Sequence, residues 1–217
     1  MVGSFSGIIW DWNGTLLNDA RLAVETMNQM LEKRGLPALS MDQYKSVFTF
    51  PVKDYYQKIG FDFESEPFEI PAIEFIDVYN SLVHGCELHQ DSIRVLNYFK
   101  LAGVKQYILS AMEQEVLNTC LKHYQIEQFF EYASGLDNFY AASKVENGHR
   151  LITRLNLNSS DLVLIGDTVH DFEVASELGC RCILIADGHQ SKEVLQATGA
   201  LVIDSITQLL GKPLGTI

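Results

Sequence analysis

Basic residues are scarce in this chain: 16 Lys and Arg stand against 28 Asp and Glu, for a formal net charge of −12. That balance argues against nucleic acid or an anionic membrane surface as the main partner, since both call for a cationic face. A small anionic ligand is still allowed, because one lysine or a bound cation can dominate the field at a site. Cysteine is scarce too. Cys86, Cys120, Cys180 and Cys182 show neither metal-ligand nor redox spacing, which points to free thiols in a reducing compartment. No apolar run approaches the length of a membrane span. The N-terminal residues have no basic region and no long apolar run, so no signal peptide is expected and the protein is read as cytoplasmic. There are no internal repeats and no low-complexity segments. With 47% hydrophobic and 20% charged residues, 217 positions suffice for a sizeable core, as one domain with an insertion or as two small domains.

What the chain does have is a series of short apolar runs that each stop at a polar residue. Ile8-Ile9-Trp10 ends at Asp11, and a Gly14-Thr15 turn follows. Val104–Leu109 ends at Ser110, and Leu162–Ile165 runs into Gly166-Asp167-Thr168, with Asp171 four residues after Asp167. Cys182–Ala186 ends at Asp187-Gly188, and Leu201–Ile203 at Asp204. Helical patterns lie between these runs. Strands alternating with helices imply βαβ units, so the expected fold is α/β with a doubly wound parallel sheet. In such sheets ligands sit outside the carboxyl ends of the strands, which would bring Asp11, Ser110 and Asp167 to one crevice.

The pattern changes between about Leu16 and His89, where no buried strand is evident. Asp19 can cap a helix whose apolar positions Ala23, Met27, Met30 and Leu31 fall at helical spacing, and Gly35 and Pro37 end it. Ser40 can cap a second helix and Pro51 can open a third that ends at Gly60. Pro71 can open a fourth, with Ala72, Phe75, Ile76, Tyr79 and Val83 on one face. The expected division is an α/β core of residues 1–16 and 89–217 with an inserted helical cap, residues 17–88. The links near Leu16–Asn18 and Cys86–His89 would act as its hinge.

Asp11-Trp12-Asn13-Gly14-Thr15, then Ser110, Lys144, and Gly166-Asp167-Thr168-Val169-His170-Asp171 followed by Ala175 and Gly179, stand in the order of the haloacid dehalogenase-like hydrolases. The chain resembles that superfamily from about Gly7 to Asp204. It looks most like members with a helical cap, which include phosphoglycolate phosphatases and β-phosphoglucomutases. The resemblance implies Mg²⁺-dependent hydrolysis of a small phosphorylated metabolite by a monomer or homodimer.

Phosphate monoester hydrolysis needs a nucleophile, neutralisation of the phosphoryl oxygens and a proton for the leaving oxygen. Asp11 suits the nucleophile, forming an aspartyl-phosphate. Asp11 and Asp167 suit direct ligation of Mg²⁺, to which the resemblance adds the backbone carbonyl of Asn13. Ser110, Thr15 and Lys144 are expected at the phosphate, and Asp171 behind them, orienting Lys144 or a metal water. On residues alone, Ser110 equally reads as a strand-end hydroxyl bonded to local backbone, and Lys144 as a solvated residue at a helix start. The chain departs from the family at Asn13. The family's phosphatases carry there a second Asp that protonates the leaving alcohol, and an amide cannot do this. Four readings follow: a slow phosphatase or one with an activated substrate, a phospho-ligand binder without turnover, an amide introduced to trap a complex, or a phosphonate hydrolase. The last would use a cap lysine, for which Lys53 is the candidate, to form a Schiff base.

Overall fold

The computed structural model describes residues 5–136 and 144–211. Its strands, in chain order, are β1 (Gly7–Trp10), β2 (Leu17–Asn18), β3 (Glu87–Leu88), β4 (Lys105–Glu113), β5 (Tyr132–Leu136), β6 (Leu162–Gly166), β7 (Arg181–Ile185) and β8 (Leu201–Ile203). The helices are α1 (Ala20–Lys33), α2 (Met41–Val47), α3 (Val52–Lys58), α4 (Glu69–Leu82), α5 (Ser92–Leu101), α6 (Gln114–His123), α7 (Lys144–Arg154), α8 (Val169–Leu178) and α9 (Lys192–Gln196).

Six strands form one parallel sheet in the order β5-β4-β1-β6-β7-β8. Because strand side chains alternate, β1 feeds two cores. Ile8 and Trp10 pack with Val95, Leu96 and Phe99 of α5 and Leu117 and Leu121 of α6. Ile9 packs on the other face with Leu151 of α7 and Val174, Ala175 and Leu178 of α8. The doubly wound expectation therefore holds, with one strand more than the sequence pattern indicated. That strand, β5, reads Tyr-Ala-Ser-Gly-Leu, lacks a β-branched run, and is held at the sheet edge by pairing with β4.

The chain runs outward from β1 to β4 and β5, then returns to β6 on the other side of β1 and continues to β7 and β8. The strand order thus reverses beside β1. A crevice opens there at the carboxyl ends, the usual place for a ligand in an open α/β sheet.

Helices α1–α4 surround a hydrophobic cluster of their own, which includes Met27, Met30, Leu31, Tyr44, Tyr55, Tyr56 and Phe61. Ser40 closes a capping box with Gln43 at the start of α2, and Pro51 precedes α3. Pro71 is the third residue of α4 rather than the residue that opens it. The segments that leave and rejoin the sheet pair as a short antiparallel ribbon, with Leu17 opposite Leu88 and Asn18 opposite Glu87. His89 N extends it by donating to Leu16 O at 2.9 Å. All four cysteines are free. No described helix is long and apolar enough to cross a membrane.

Candidate active site

Each strand end around the crevice delivers one polar group. Asp11 follows β1, and its backbone N–H donates to Ile165 O of β6 at 2.8 Å, which fixes it at the sheet's edge. Asp167 follows β6. Lys144 opens α7, and its Nζ lies 2.5 Å from Asp11 Oδ1 and 2.6 Å from Asp171 Oδ1. Asp171 in turn closes a capping box on α8: its Oδ2 accepts from Thr168 N at 3.0 Å, Thr168 Oγ1 at 2.6 Å and Asp167 N at 3.2 Å. Asp171 is thereby anchored to its own helix start, and it positions Lys144.

Asp11, Asp167 and Asp171 are all buried and offer oxygen atoms within 4.8 Å of one another. Burial pushes the Asp11 carboxyl well up; Lys144 offsets part of this, and Asp171 and Asp167 push it further. Burial likewise raises Asp167, to about 6. Burial disfavours charge on both Lys144 and Asp171, but Asp11 and then Asp171 outweigh it at Lys144, and Lys144 outweighs it at Asp171, so both are held ionised. With all three carboxylates ionised, one lysine leaves two negative charges over, which one divalent cation would balance and so favour that ionised state. The donors are all hard oxygens, which suits Mg²⁺. Two glycines keep Asp167 in place: a Cβ at Gly14, whose φ is +72°, or at Gly188 would run into its carboxylate.

The other expected residues fall as follows. The buried Thr15 donates its hydroxyl to Asp167 Oδ1 at 3.0 Å, so that proton orients a carboxylate rather than facing outward to a phosphate. Ser110 is buried on β4, two residues past Ile108, the register partner of Trp10, and its Oγ accepts from Met112 N at 3.0 Å. Lys53 is not brought to this cluster: it is exposed on α3, with its Nζ 5.5 Å from the centre of the Phe63 ring.

Asn13 lines the crevice, and both protons of its amide nitrogen are engaged. Nδ2 donates to Asp19 Oδ2 at 3.0 Å and to Tyr79 OH at 2.7 Å, while Tyr79 OH donates to Asp19 Oδ2 at 2.5 Å. Asp19 also accepts from Gly14 N at 2.7 Å. It makes no side-chain capping bond to α1, contrary to the helix-cap expectation, because its carboxylate turns back to the turn after β1. His189 lies 3.3 Å from Asp19 through Nε2 and 2.8 Å from Tyr44 OH through Nδ1, and its backbone N–H donates to Asp167 Oδ2 at 2.6 Å. Burial pulls the His189 imidazole down, but Asp19 outweighs it and the ring is raised to about 9. Burial works against ionised Asp19, yet His189, Tyr79 and Asn13 hold its carboxyl below the usual range. Sequence reasoning missed Asp19 as a site residue because a helix start already accounted for it. His189 was missed too; it follows the Asp187-Gly188 strand end, a position that could have signalled it.

A cavity of about 370 Å³ opens from Asp11 and Lys144 toward helices α1–α4. Its far wall is aromatic and includes Tyr44, Phe48, Phe50, Tyr55, Phe75 and Tyr79. Helix α2 and the chain after it are bonded across to the residues following β7: Ser191 N donates to Lys45 O at 3.0 Å and Gln190 Nε2 to Phe48 O at 2.8 Å.

The sequence and the fold of this chain recur among known proteins. The phosphoglycolate phosphatase of Caulobacter vibrioides is 26% identical over 206 residues, covering 91% of this chain and 86% of that protein. The tyrosine-protein kinase PtkA of Mycobacterium tuberculosis is 24% identical over 212 residues, covering 94% and 72% respectively. A crystal structure from Clostridium acetobutylicum, described as a predicted phosphatase, superposes with a TM-score of 0.80 at 17% identity, covering 95% of this chain and 97% of that one. The family model for haloacid dehalogenase-like hydrolases matches residues 8–185, which takes in β1, the helical insertion and every strand through β7. By that match, the chain belongs to the haloacid dehalogenase-like hydrolases.

Proposed function

We propose that this protein is a Mg²⁺-dependent phosphoric monoester hydrolase in which Asp11 forms an aspartyl-phosphate. The observation that carries the reading is the buried Asp11–Lys144–Asp171 bridge beside Asp167, at the point where the sheet order reverses. Asp11 and Asp167, with the backbone carbonyl of Asn13, would hold the metal. When bound, Mg²⁺ supplies charge neutralisation at the phosphoryl oxygens. Lys144 works against the burial of Asp11 by favouring its ionised form, orients it, and adds positive charge where the phosphoryl group sits. Thr15 and the backbone of His189 fix both oxygens of Asp167, so the metal-facing carboxylate is preorganised. Ser110 would turn its hydroxyl proton to a phosphate oxygen, since its bond to Met112 N uses only a lone pair.

Residues 17–88 would serve as a cap that closes over the crevice and excludes water during transfer. The β2–β3 ribbon is the natural hinge, and the Tyr44–His189 and Gln190–Phe48 bonds would hold the closed state. The named relatives include a phosphatase and a kinase; what unites them is handling of a phosphoryl group, and hydrolysis is the reading adopted here. Lys53, the amine named for the phosphonate reading, is not among the described residues that line the cavity, which disfavours that reading.

Calorimetry with Mg²⁺ and orthovanadate tests the site. Cooperative binding that Asp167→Ala removes is expected. Unchanged affinity in that variant would overturn the metal assignment. Tight binding without turnover of any ester would favour a phospho-ligand binder.

A further inference from the structure

The cavity wall contributed by α1–α4 carries rings but no cation. Among the described lining residues there is no arginine, and the lone lysine is Lys144, bonded to Asp11 and Asp171. Cationic side chains of this block pair elsewhere: Arg34 with Glu66 and Glu74, Lys33 with Glu74, and Arg21 with Glu25. A substrate bearing a second anionic group, such as the carboxylate of phosphoglycolate, would meet no complementary charge on that wall.

The rings themselves form a connected series. Tyr44 and Phe48 both meet Tyr55 edge-on, at 5.8 and 5.3 Å between centroids, Phe48 meets Phe50 edge-on at 5.4 Å, and Phe50 stacks on His170 at 4.7 Å. Such a wall offers both faces and edges to another ring. The polar groups beside it are engaged with one another: Asn13 with Asp19 and Tyr79, and both nitrogens of His189 with Asp19 and Tyr44. Two lining side chains stand outside these pairs: the half-buried Asn80 of α4, and Tyr55, whose hydroxyl is buried with no hydrogen-bond partner. A buried hydroxyl without a partner is costly unless a ligand satisfies it.

The leaving group is constrained as well. Both amide protons of Asn13 are directed to Asp19 and Tyr79, and an amide is no acid, so this position delivers no proton to an ester oxygen. An alkoxide leaves poorly without that proton, whereas a phenolate leaves without help.

We propose that the cavity takes the phosphate monoester of a phenol, with the ring seated against Phe48, Phe50 and Phe75 and a polar ring substituent meeting the Tyr55 hydroxyl. This rests on the hydrolase reading above. An Asp11 oxygen attacks phosphorus, the bond from phosphorus to the phenolic oxygen breaks, and the phenolate departs with the electron pair and takes a proton from solvent. Water then attacks phosphorus, the bond from phosphorus to Asp11 breaks, and the Asp11 carboxylate and inorganic phosphate result, the phosphate keeping one proton of the water and releasing the other to solvent.

The test separates ring recognition from turnover. Binding of phenylphosphonate and methylphosphonate to the full chain is measured by calorimetry with Mg²⁺. Turnover of phenyl phosphate, cyclohexyl phosphate, 2-phosphoglycolate and acetyl phosphate is measured alongside. Phenylphosphonate should bind about 10-fold tighter than methylphosphonate, the order expected for burying one ring. Phe50→Leu and Phe75→Leu, measured separately so that one misfolded variant is not decisive, should each reduce that ratio. The kcat/KM of phenyl phosphate should exceed that of cyclohexyl phosphate by about 100-fold or more, the lower end of what a missing general acid is worth. It should also exceed that of 2-phosphoglycolate. Equal phosphonate affinities with acetyl phosphate still hydrolysed would overturn the aryl site and leave the hydrolase standing. Ring preference with no ester or acetyl phosphate hydrolysed would uphold the aryl site and overturn the hydrolase.

Discussion

Replacing Asn13 by Asp should convert this protein into a better hydrolase of alkyl phosphates, for a reason specific to its surroundings. Asn13 Nδ2 lies 3.0 Å from Asp19 Oδ2 and 2.7 Å from Tyr79 OH. Asn13→Asp therefore sets a carboxylate against a buried carboxylate that His189 and Tyr79 hold ionised. Two full charges about 3 Å apart repel by about 5 kcal/mol even at an effective dielectric constant near 20. The pair will keep one proton between them near neutral pH, as close carboxylates do. That retained proton is what a leaving alcohol lacks in the parent. A recovered general acid is worth about 10²–10⁴ in rate, or roughly 3–5 kcal/mol of barrier. The assay compares kcat/KM for an alkyl and an aryl phosphate in parent and variant with Mg²⁺. The expected gain is at least about 100-fold for the alkyl ester and only a few-fold for the aryl ester, because the phenolate leaves unprotonated. An equal gain for both esters, or none for either, would refute the reasoning. Fast alkyl turnover by the parent would show that another residue already supplies the proton.

Three further outcomes are expected. Lys144→Met leaves buried Asp11 and Asp171 without their partner, which should cost about 3–5 kcal/mol in urea unfolding, partly restored by Mg²⁺. The His189 imidazole is raised to about 9 in the folded protein, above its ordinary 6.5, so its contribution is fully present below pH 6.5 and lost as pH rises through 9. That contribution is at most about 3 kcal/mol, and unfolding of His189→Gln should lack this fall in stability between pH 6.5 and 9. Hydrogen exchange with and without Mg²⁺ and orthovanadate should change most at 16–18, 86–89 and 48–53, the ribbon and the loop bonded to Gln190. Uniform protection in both states would count against a hinged cap.

The sheet was legible because its central strands are buried on both faces and their sequences are nearly all apolar. Strand β5 was not, since an edge strand of Ala, Ser and Gly owes its conformation to its neighbour rather than to its own residues. The carboxylates and Lys144 were legible as types at strand and helix ends, and Asp171 was expected to orient Lys144 or a metal water; that Lys144 also reaches Asp11 was not legible, because it depends on how α7 packs beside β1. Asp19 misled for a clear physical reason. An aspartate before a helix satisfies capping rules, and only the folded turn shows its oxygens facing Asn13, Tyr79 and Gly14 instead. Thr15 was assigned to the phosphate, and its 3.0 Å bond to Asp167 became visible only once β1 and β6 were paired.

The central claim is that Asp11 is the nucleophile, and trapping the phosphoenzyme tests it most directly. The protein is quenched during steady-state hydrolysis of acetyl phosphate with Mg²⁺, reduced with borohydride, digested and sequenced by mass spectrometry. An acyl phosphate at Asp11 should be recovered as homoserine at that position, absent without substrate and absent with turnover in Asp11→Asn. Sustained hydrolysis with Asp11 unmodified, or persisting in Asp11→Asn, would contradict the account.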